Sequence, residues 1–515
     1  MISRIRLETG LLDSLKAILP FPPRPSEKFS LQLKSFFSCK EVLFFGSGRA
    51  AIFFLLKALP QKKVFIPAYT CVVVKEAVLF AGKQCIELDI NPETFSFDSK
   101  ILEKKIEKDS IVLATHQFGI PCDIHAIKKV CEKNNCLLLE DSAAAFGTRI
   151  GTKPAGTFGS ASILSFDYTK TLTCARGGAI VFNDISLYEK VLKSVPALKN
   201  DSLGSFIKRF FFVSFYNFFA SPPVYSIFTL PLLTKNSLFA DKGRVSRQLS
   251  PEYNKKFSDF QARLGLVQLS RIKRTIEKRK KLALFFHGQL SKIENLWIPK
   301  KESLENSVLI RFPIIVPSSD KIFFYEACRA EGLDLGFSFS YSLAEKEKAP
   351  NAFFAGEKVL DIPFYSSLSA NEMKKIVETV KKASLKSDLN GLVALATNNP
   401  KKQRISFLLE EKQNGKTIGA AGIVSRRGLP FFFLAVKPGF QGKGIGSSLV
   451  KKFFEEKNPD FIFLSVSNKA AEHIYLKNGF RIIGKKGKSI FMVYEKKKTF
   501  ASMASVFFVS LFLKK

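Results

Sequence analysis

At 515 residues with 46% apolar content, the chain is long enough to bury two full cores. A formal net charge of +35 raises nucleic acid as a partner. The basic residues are spread along the chain and form no nucleic-acid-binding module, so no nucleic acid is expected; anionic small molecules and lipid fit better. The eight cysteines include no C-x-x-C pair, which supports neither a zinc site nor a disulfide framework, so no metal is expected and a reducing cytoplasm fits best.

The N-terminal run MISRIRLETGLLDSLKAIL breaks every apolar stretch with a charge, so it reads as an amphipathic helix and not as a secretory signal. From residue 40 to 185 strands alternate with helices, the pattern of a mainly parallel sheet covered on both faces. FGSGRAAIFFLLKAL sets Gly46, Ser47, Gly48, Arg49 and Ala50 at the start of an apolar helix, where unpaired backbone N–H groups and the helix dipole favour a phosphate. The strand CLLLED delivers Asp141 at its C-terminal end. About 25 residues on, the strand ASILSF ends in SFDYTK, with Lys170 as its last residue. A lysine there can hold a cofactor aldehyde as a Schiff base, and a carboxylate can keep a pyridine nitrogen protonated, which together suggest pyridoxal 5'-phosphate. The same two residues also fit a surface lysine after a strand and a strand-end aspartate.

Phe210 to Thr234 carries no charge and is long enough to span a bilayer, but Pro222 and Pro223 at its centre favour two short apolar helices joined by a kink. Residues 386–402, SDLNGLVALATNNPKK with the lysine before it, read as a linker. Beyond it KPGFQGKGIGSSLVKKFF follows a strand-like run, and Gln441, Gly442, Gly444 and Gly446 form a Q-x-x-G-x-G turn that aims successive amides at a pyrophosphate. The uncharged tail from Thr499 to Leu513 lies between lysine clusters and suits a membrane surface, or packing against protein.

Taken with IPAYTCVVVKEAV, ATHQFGIPCDI, EDSAAAFG, RGGAIVFND, PEYNKKFSDFQARLGLVQL and VLDIPFYSSLSANEMKKIVETV in that order, the chain resembles the DegT/StrS-type nucleotide-sugar aminotransferases over residues 36–385. The resemblance implies a fold type I pyridoxal-phosphate transferase with large and small subdomains. It also implies a homodimer, glutamate as amino donor and a nucleotide-linked keto-sugar as substrate. By position Lys170 matches the Schiff-base lysine, Asp141 the pyridinium partner, and Ser165 with the amides of Gly48 and Arg49 the phosphate cradle. Asn254 matches a residue lent across the dimer. The family usually has glutamine where Ala144 stands and an aromatic where Cys71 stands, so Cys71 lies beside the cofactor without a ring to stack. Tyr69 or His116 could supply that face, although a histidine after a strand is more often structural.

QGKGIG, the strand FIFLSV and SNKAAEHIYLKNGF together resemble the GNAT acyltransferases over residues 403–497. That resemblance implies a small α/β domain with acetyl-CoA on the turn, Asn468 nearby, and Tyr475 protonating the departing thiolate. Tyr475 could equally pack its helix on the sheet. No carboxylate stands in the strand before the turn as an obvious base, leaving Glu410, Glu411 or water. The expected organisation is therefore an N-terminal extension (1–35), an aminotransferase domain (36–385) with an apolar insert at about 203–240, the linker, a GNAT domain (403–497) and a tail (498–515). The expected function is a bifunctional enzyme for surface polysaccharide that aminates a keto-sugar and acetylates the product, cytoplasmic with peripheral membrane contact. A second reading is a degenerate dimeric, membrane-docking scaffold that carries an acetyltransferase for another amine.

Overall fold

The structure is a computed structural model that describes residues 1–229, 243–246, 248–293, 296–316, 321–397, 404–413, 416–426, 429–436, 443–457, 459, 461–466, 469–486 and 489–495. The chain divides into two compact units, residues 1–384 and 385–515. The first is built on a seven-stranded sheet. In spatial order its strands are Glu41–Phe45, Gly178–Phe182, Ala161–Ser165, Leu137–Asp141, Ile111–Thr115, Lys63–Pro67 and Gln84–Leu88. Gly178–Phe182 runs antiparallel to both of its neighbours and the other pairings are parallel, so the expected mainly parallel sheet carries one reversed strand.

Alternation along each strand feeds two apolar layers, because successive side chains point to opposite faces. Val64, Ile66, Ile111 and Leu113 pack against the helices Gly48–Lys57 and Val72–Phe80. Phe65, Val112 and Ala114 face the helix Ile124–Lys133 on the other side. Ala179 and Val181 meet Phe29 and Leu33 of the helix Pro25–Phe37. A second region of this unit pairs Phe312–Ile315 with Val359–Ile362 antiparallel. It closes over a core that includes Phe286, Leu290, Phe312, Leu360 and Ile376.

The N-terminal residues are part of this unit. Ile2 donates to Gly332 O at 2.8 Å, Arg4 pairs with Asp334 at 2.6 Å, and Glu8 pairs with Arg279 at 2.6 Å. The segment expected as a linker continues a helix, Ala370–Thr397, well past residue 386.

In the apolar insert a helix, Leu203–Phe219, ends just before Ser221, and Pro222 starts a new turn at Pro222–Val224. The break falls there because proline fits a first helical turn but not a helix interior. No helix among the described residues is long and apolar enough to cross a membrane.

The second unit holds a six-stranded sheet in the order Arg404–Gln413, Lys416–Arg426, Leu429–Val436, Phe461–Val466, Ser489–Glu495 and Arg481–Lys486. Leu429–Val436 and Phe461–Val466 are parallel and meet at one register pair, Phe431 opposite Phe463; the other neighbours run antiparallel over longer stretches. Helices Ile445–Lys457 and Lys469–Lys477 contribute Leu449, Phe453 and Tyr475 to its core.

Candidate active site

A cleft of about 420 Å³ opens in the first unit where several strand ends and two helix starts converge. Ser47 caps the helix Gly48–Lys57, its hydroxyl accepting from Ala50 N at 3.3 Å, so the first-turn amides, which have no intrahelical acceptor, face the cleft mouth. Helix start and strand approach closely here: a Cβ on Gly48 would lie a tight 3.2 Å from the Ser165 Cβ, and a Cβ on Gly178 would lie 2.5 Å from the Gly48 Cα. The close approach sets Ser165, the last residue of its strand, beside the helix start. Gly48, Arg49, Cys71, Asp141, Ser165 and Lys170 all line this one cleft.

Asp141 and Lys170 are the charged pair at its floor. Asp141 is 5% exposed, and one of its carboxylate oxygens accepts from Ala143 N at 3.0 Å. Burial pushes its pKa up, opposed by the Ala143 amide and by the Lys170 charge. Burial in turn draws the Lys170 ammonium below the ordinary lysine value, opposed by Asp167 and Asp141. Desolvation thus moves Lys170 toward the free amine, the form that can attack a carbonyl.

Asp141 owes its position to the residue before it. The Glu140 carboxylate is fully buried and accepts the amides of Gly156 (2.8 Å), Phe158 (2.6 Å) and Gly159 (2.8 Å). His116 Nε2 lies 2.9 Å from the same carboxylate, while His116 Nδ1 accepts from Cys122 N at 3.2 Å. A backbone N–H always donates, so Nδ1 carries no proton and His116 is neutral with Nε2–H on Glu140. The histidine is a brace for the strand end and does not line the cleft; it supplies no ring face there.

Tyr69 does not reach the cleft either. It is fully buried among Phe95, Phe118 and Phe339, and its hydroxyl donates to Ser338 O at 3.0 Å. The apolar lining beside Cys71 is aliphatic: Ile52, Val73, Val74 and Ile163. Ala143, not Ala144, lines the cleft. Asn254 is exposed and lies outside the cleft lining, although Ser250 and Glu252 just before it belong to that lining.

Sequence reasoning missed Arg176. Its guanidinium pairs with Glu252 at 3.2 Å and lies 5.8 Å from the Tyr168 ring centroid, and both members of the ion pair line the cleft. Ala175 (φ 55°), Arg176 (φ 85°) and Gly177 (φ 112°) are three successive left-handed residues. Only the third is a glycine, so the loop holds the arginine in a conformation that local preference disfavours. The RGG run was the available signal, but glycine alone does not announce strain at its neighbours.

The second unit places fewer of its expected residues. Gln441, Gly442 and Asn468 lie outside the described residues. Gly444 has φ 78° with nothing within 4 Å of a Cβ placed on it, and it starts the helix Ile445–Lys457, with Ser448 N donating to Gly444 O at 3.0 Å. Gly446 follows in the first turn of that helix. Tyr475 is 5% exposed and packs edge-on against Phe432 and Phe480, with centroids 6.0 and 5.6 Å away. Burial pushes its phenol pKa up. Glu411 pairs with Lys452 at 2.8 Å.

Comparison with known proteins places these geometries in families. The model of the DegT/DnrJ/EryC1/StrS aminotransferase family matches residues 24–381, and that of an acetyltransferase (GNAT) domain matches residues 402–482. The chain is 33% identical to a GDP-perosamine synthase of Escherichia coli O157:H7 over 151 residues, 28% of this chain and 42% of that one. It is 24% identical to a GDP-perosamine synthase of Vibrio cholerae over 269 residues, 52% and 62% of the two chains. The chain thus spans less than two thirds of each of these relatives. Among solved structures, Helicobacter pylori PseC, an aminotransferase involved in the biosynthesis of pseudoaminic acid, superposes with a TM-score of 0.57 at 20% identity, over 75% of this chain and 99% of that one. The ntda protein of Bacillus subtilis with bound cofactor PMP gives 0.56 at 21%, over 73% and 81%. At these identities the two structures establish the fold: a fold type I transferase.

Proposed function

We propose, for a chain that belongs to the DegT/DnrJ/EryC1/StrS aminotransferase family and carries a GNAT domain, that the first unit aminates a nucleotide-linked keto-sugar and the second acetylates the amine. The observation that carries the first half is the convergence of Lys170, Asp141, Ser165 and the Gly48 helix start on one cleft. These residues fit pyridoxal 5'-phosphate: a helix start stripped of Cβ bulk for the phosphate, a buried carboxylate, and a lysine whose charge is disfavoured. When bound, the cofactor supplies an electron sink for charge developing beside the transferred nitrogen. The first-turn amides of Gly48 and Arg49 with the Ser165 hydroxyl would hold its phosphate. Asp141 would hold a proton at the pyridine nitrogen, and the Lys170 amine would carry the cofactor and move the proton at the reacting carbon. Cys71, Val73 and Val74, which line the cleft, would offer a bound ring apolar surface and no aromatic face. The PMP-bound structural relative and the two GDP-perosamine synthases support this cofactor and a nucleotide-sugar substrate.

For the second half, the sugar amine attacks the thioester carbonyl of acetyl-CoA, the amine's proton passes to water, the C–S bond breaks as the amide forms, and Tyr475 gives its phenolic proton to the leaving thiolate and is reprotonated from solvent. The helix start at Gly444 and the GNAT match support acetyl-CoA on that turn. Surface polysaccharide is the natural destination of an acetamido sugar made in two consecutive steps, and glutamate is the amino donor.

Borohydride reduction of cofactor-loaded protein followed by peptide mapping tests the first half. The label is expected on Lys170 and absent in Lys170→Ala, whose transamination falls by at least about 10³-fold; labelling at another lysine would sink the assignment. Asn254, exposed at the edge of the site, is assigned to the neighbouring subunit's phosphate in a homodimer. Mixing Lys170→Ala with Asn254→Ala protomers then restores part of the activity, because one of the two composite sites in a mixed dimer is intact.

A further inference from the structure

Two neighbouring helices of the first unit carry apolar side chains on their outer faces as well as their inner ones. In Leu11–Ile18 the side chains facing the protein are Asp13, Ser14 and Ala17, with Asp13 held by Arg271 at 2.6 Å, while Leu12 is 75% exposed and Leu15 and Ile18 are also exposed. Just beyond, Phe21 is 76% exposed. In Leu203–Phe219, packed against that helix, the buried residues are Arg209, Val213 and Ser214, and Arg209 is ion-paired with Asp201. Its outward side carries Phe211 (56% exposed), Phe215 and Phe218 (61%), with Phe211 and Phe215 stacked at 5.8 Å. Asn217 turns inward and ties the two segments together, bonding Leu7 N at 2.8 Å and Thr9 O at 2.9 Å.

A water-facing amphipathic helix hides its apolar stripe; these two bury one, with Ala17, Val213, Phe206 and Phe210 packed inward, and carry a second apolar stripe outside, while Asp13 and Arg209 are turned in. The charges that remain outside are basic. Lys16 sits among Leu12, Leu15 and Leu19, Lys208 sits beside Phe211 and Phe212, and neither helix exposes a carboxylate.

We propose that this face, carrying Leu12, Leu15, Phe211 and Phe218 with Lys16 and Lys208, lies on the surface of an anionic bilayer. Leucine and phenylalanine side chains enter the acyl boundary and the two lysines meet lipid phosphates. Charge complementarity selects this occupant over a second copy of the chain. An anionic headgroup layer meets the apolar side chains and both lysines together, whereas a second copy of these two helices offers no exposed carboxylate to either lysine. A helix of 17 residues interrupted by Pro222 lies on a bilayer and does not cross it.

Sedimentation of the full chain with vesicles tests the proposal. Vesicles containing phosphatidylglycerol should bind the protein on the order of tenfold or more tightly than phosphatidylcholine alone. Phe211→Ser/Phe218→Ser and, separately, Lys16→Glu/Lys208→Glu should each weaken binding by about tenfold or more while far-UV circular dichroism stays that of the parent. If one of these pairs disturbs the fold, Leu12→Ser/Leu15→Ser on the other helix reads the same quantity. No binding by the parent chain, or binding that survives these substitutions, overturns the proposal. So does light scattering in which Phe211→Ser/Phe218→Ser splits an oligomer and vesicle binding is unchanged, since the face would then belong to a second copy.

Discussion

Gly48 and Gly444 both stand at the start of a helix proposed to receive a phosphate group, yet they are glycines for different reasons. Gly48 has an ordinary backbone and little room: a Cβ on it would meet the Ser165 Cβ at 3.2 Å. Gly444 has ample room and a left-handed backbone at φ 78°. The first site is therefore specified by close packing of strand against helix, the second by a turn that local geometry demands. The same contrast runs through the other residues. In the first unit buried charges face a cleft, whereas in the second the expected proton donor lies in an aromatic core.

The largest effect that can break this contrast lies at Asp141. Asp141→Asn should leave the cofactor bound, seen by its visible absorbance, but lower transamination roughly 10²–10⁴-fold, because a neutral partner no longer holds the pyridine proton. Loss of the cofactor instead would make Asp141 a packing residue.

Next comes Gly444→Glu, expected to weaken acetyl-CoA binding on the order of 100-fold by calorimetry, through loss of charge-assisted amide contacts. Gly444→Ala carries only the left-handed backbone cost of about 1–2 kcal/mol and should be milder. Equal effects would assign the glycine to folding alone.

Tyr475→Phe keeps the ring contacts to Phe432 and Phe480, so the unit should stay folded while acetyl transfer to a supplied amino-sugar slows by at least about tenfold. An unchanged rate would leave the tyrosine as core and nothing more.

The smallest effect is on stability. Burial lowers the Lys170 pKa in the folded state, so between its folded and unfolded values the unfolded chain binds more protons and stability rises with pH. Cofactor-free Lys170→Met should therefore be more stable than cofactor-free parent at neutral pH, and the gap should close as pH climbs toward the ordinary lysine value near 10.4. A gap that does not change with pH would mean Lys170 is not desolvated.

Much of the first site was legible in the sequence because its residues sit at strand ends and helix starts, positions that periodicity and glycine mark well. Asp141, Ser165, Gly48 and Lys170 were picked out by position and by the family resemblance, and the structure brings them to one cleft. Tyr69 was misplaced because a tyrosine after a strand can turn to either side, and only the aromatic cluster of Phe95, Phe118 and Phe339, distant in sequence, decides which. Arg176 was missed because its importance comes from an ion pair with Glu252 across 76 residues and from backbone dihedrals that no composition signal reports. The helices with apolar outer faces were half visible. An apolar insert was evident, but that Asp13 and Arg209 point inward follows from Arg271 and Asp201, partners that a helical pattern does not name.

The left-handed loop at Ala175–Gly177 makes a helix cap part of the cleft. Gln261 closes a capping box with Ser258 at the start of Asp259–Leu269, and its side-chain amide also donates to Arg176 O at 3.0 Å. Phe257, just before that cap, fills the space where a Gly177 Cβ would fall, 2.4 Å from its ring. The cap therefore works as a latch: whatever frays the first turn of that helix slackens the loop, and the Arg176 guanidinium loses its aim at the cleft without a substitution at any residue that lines it.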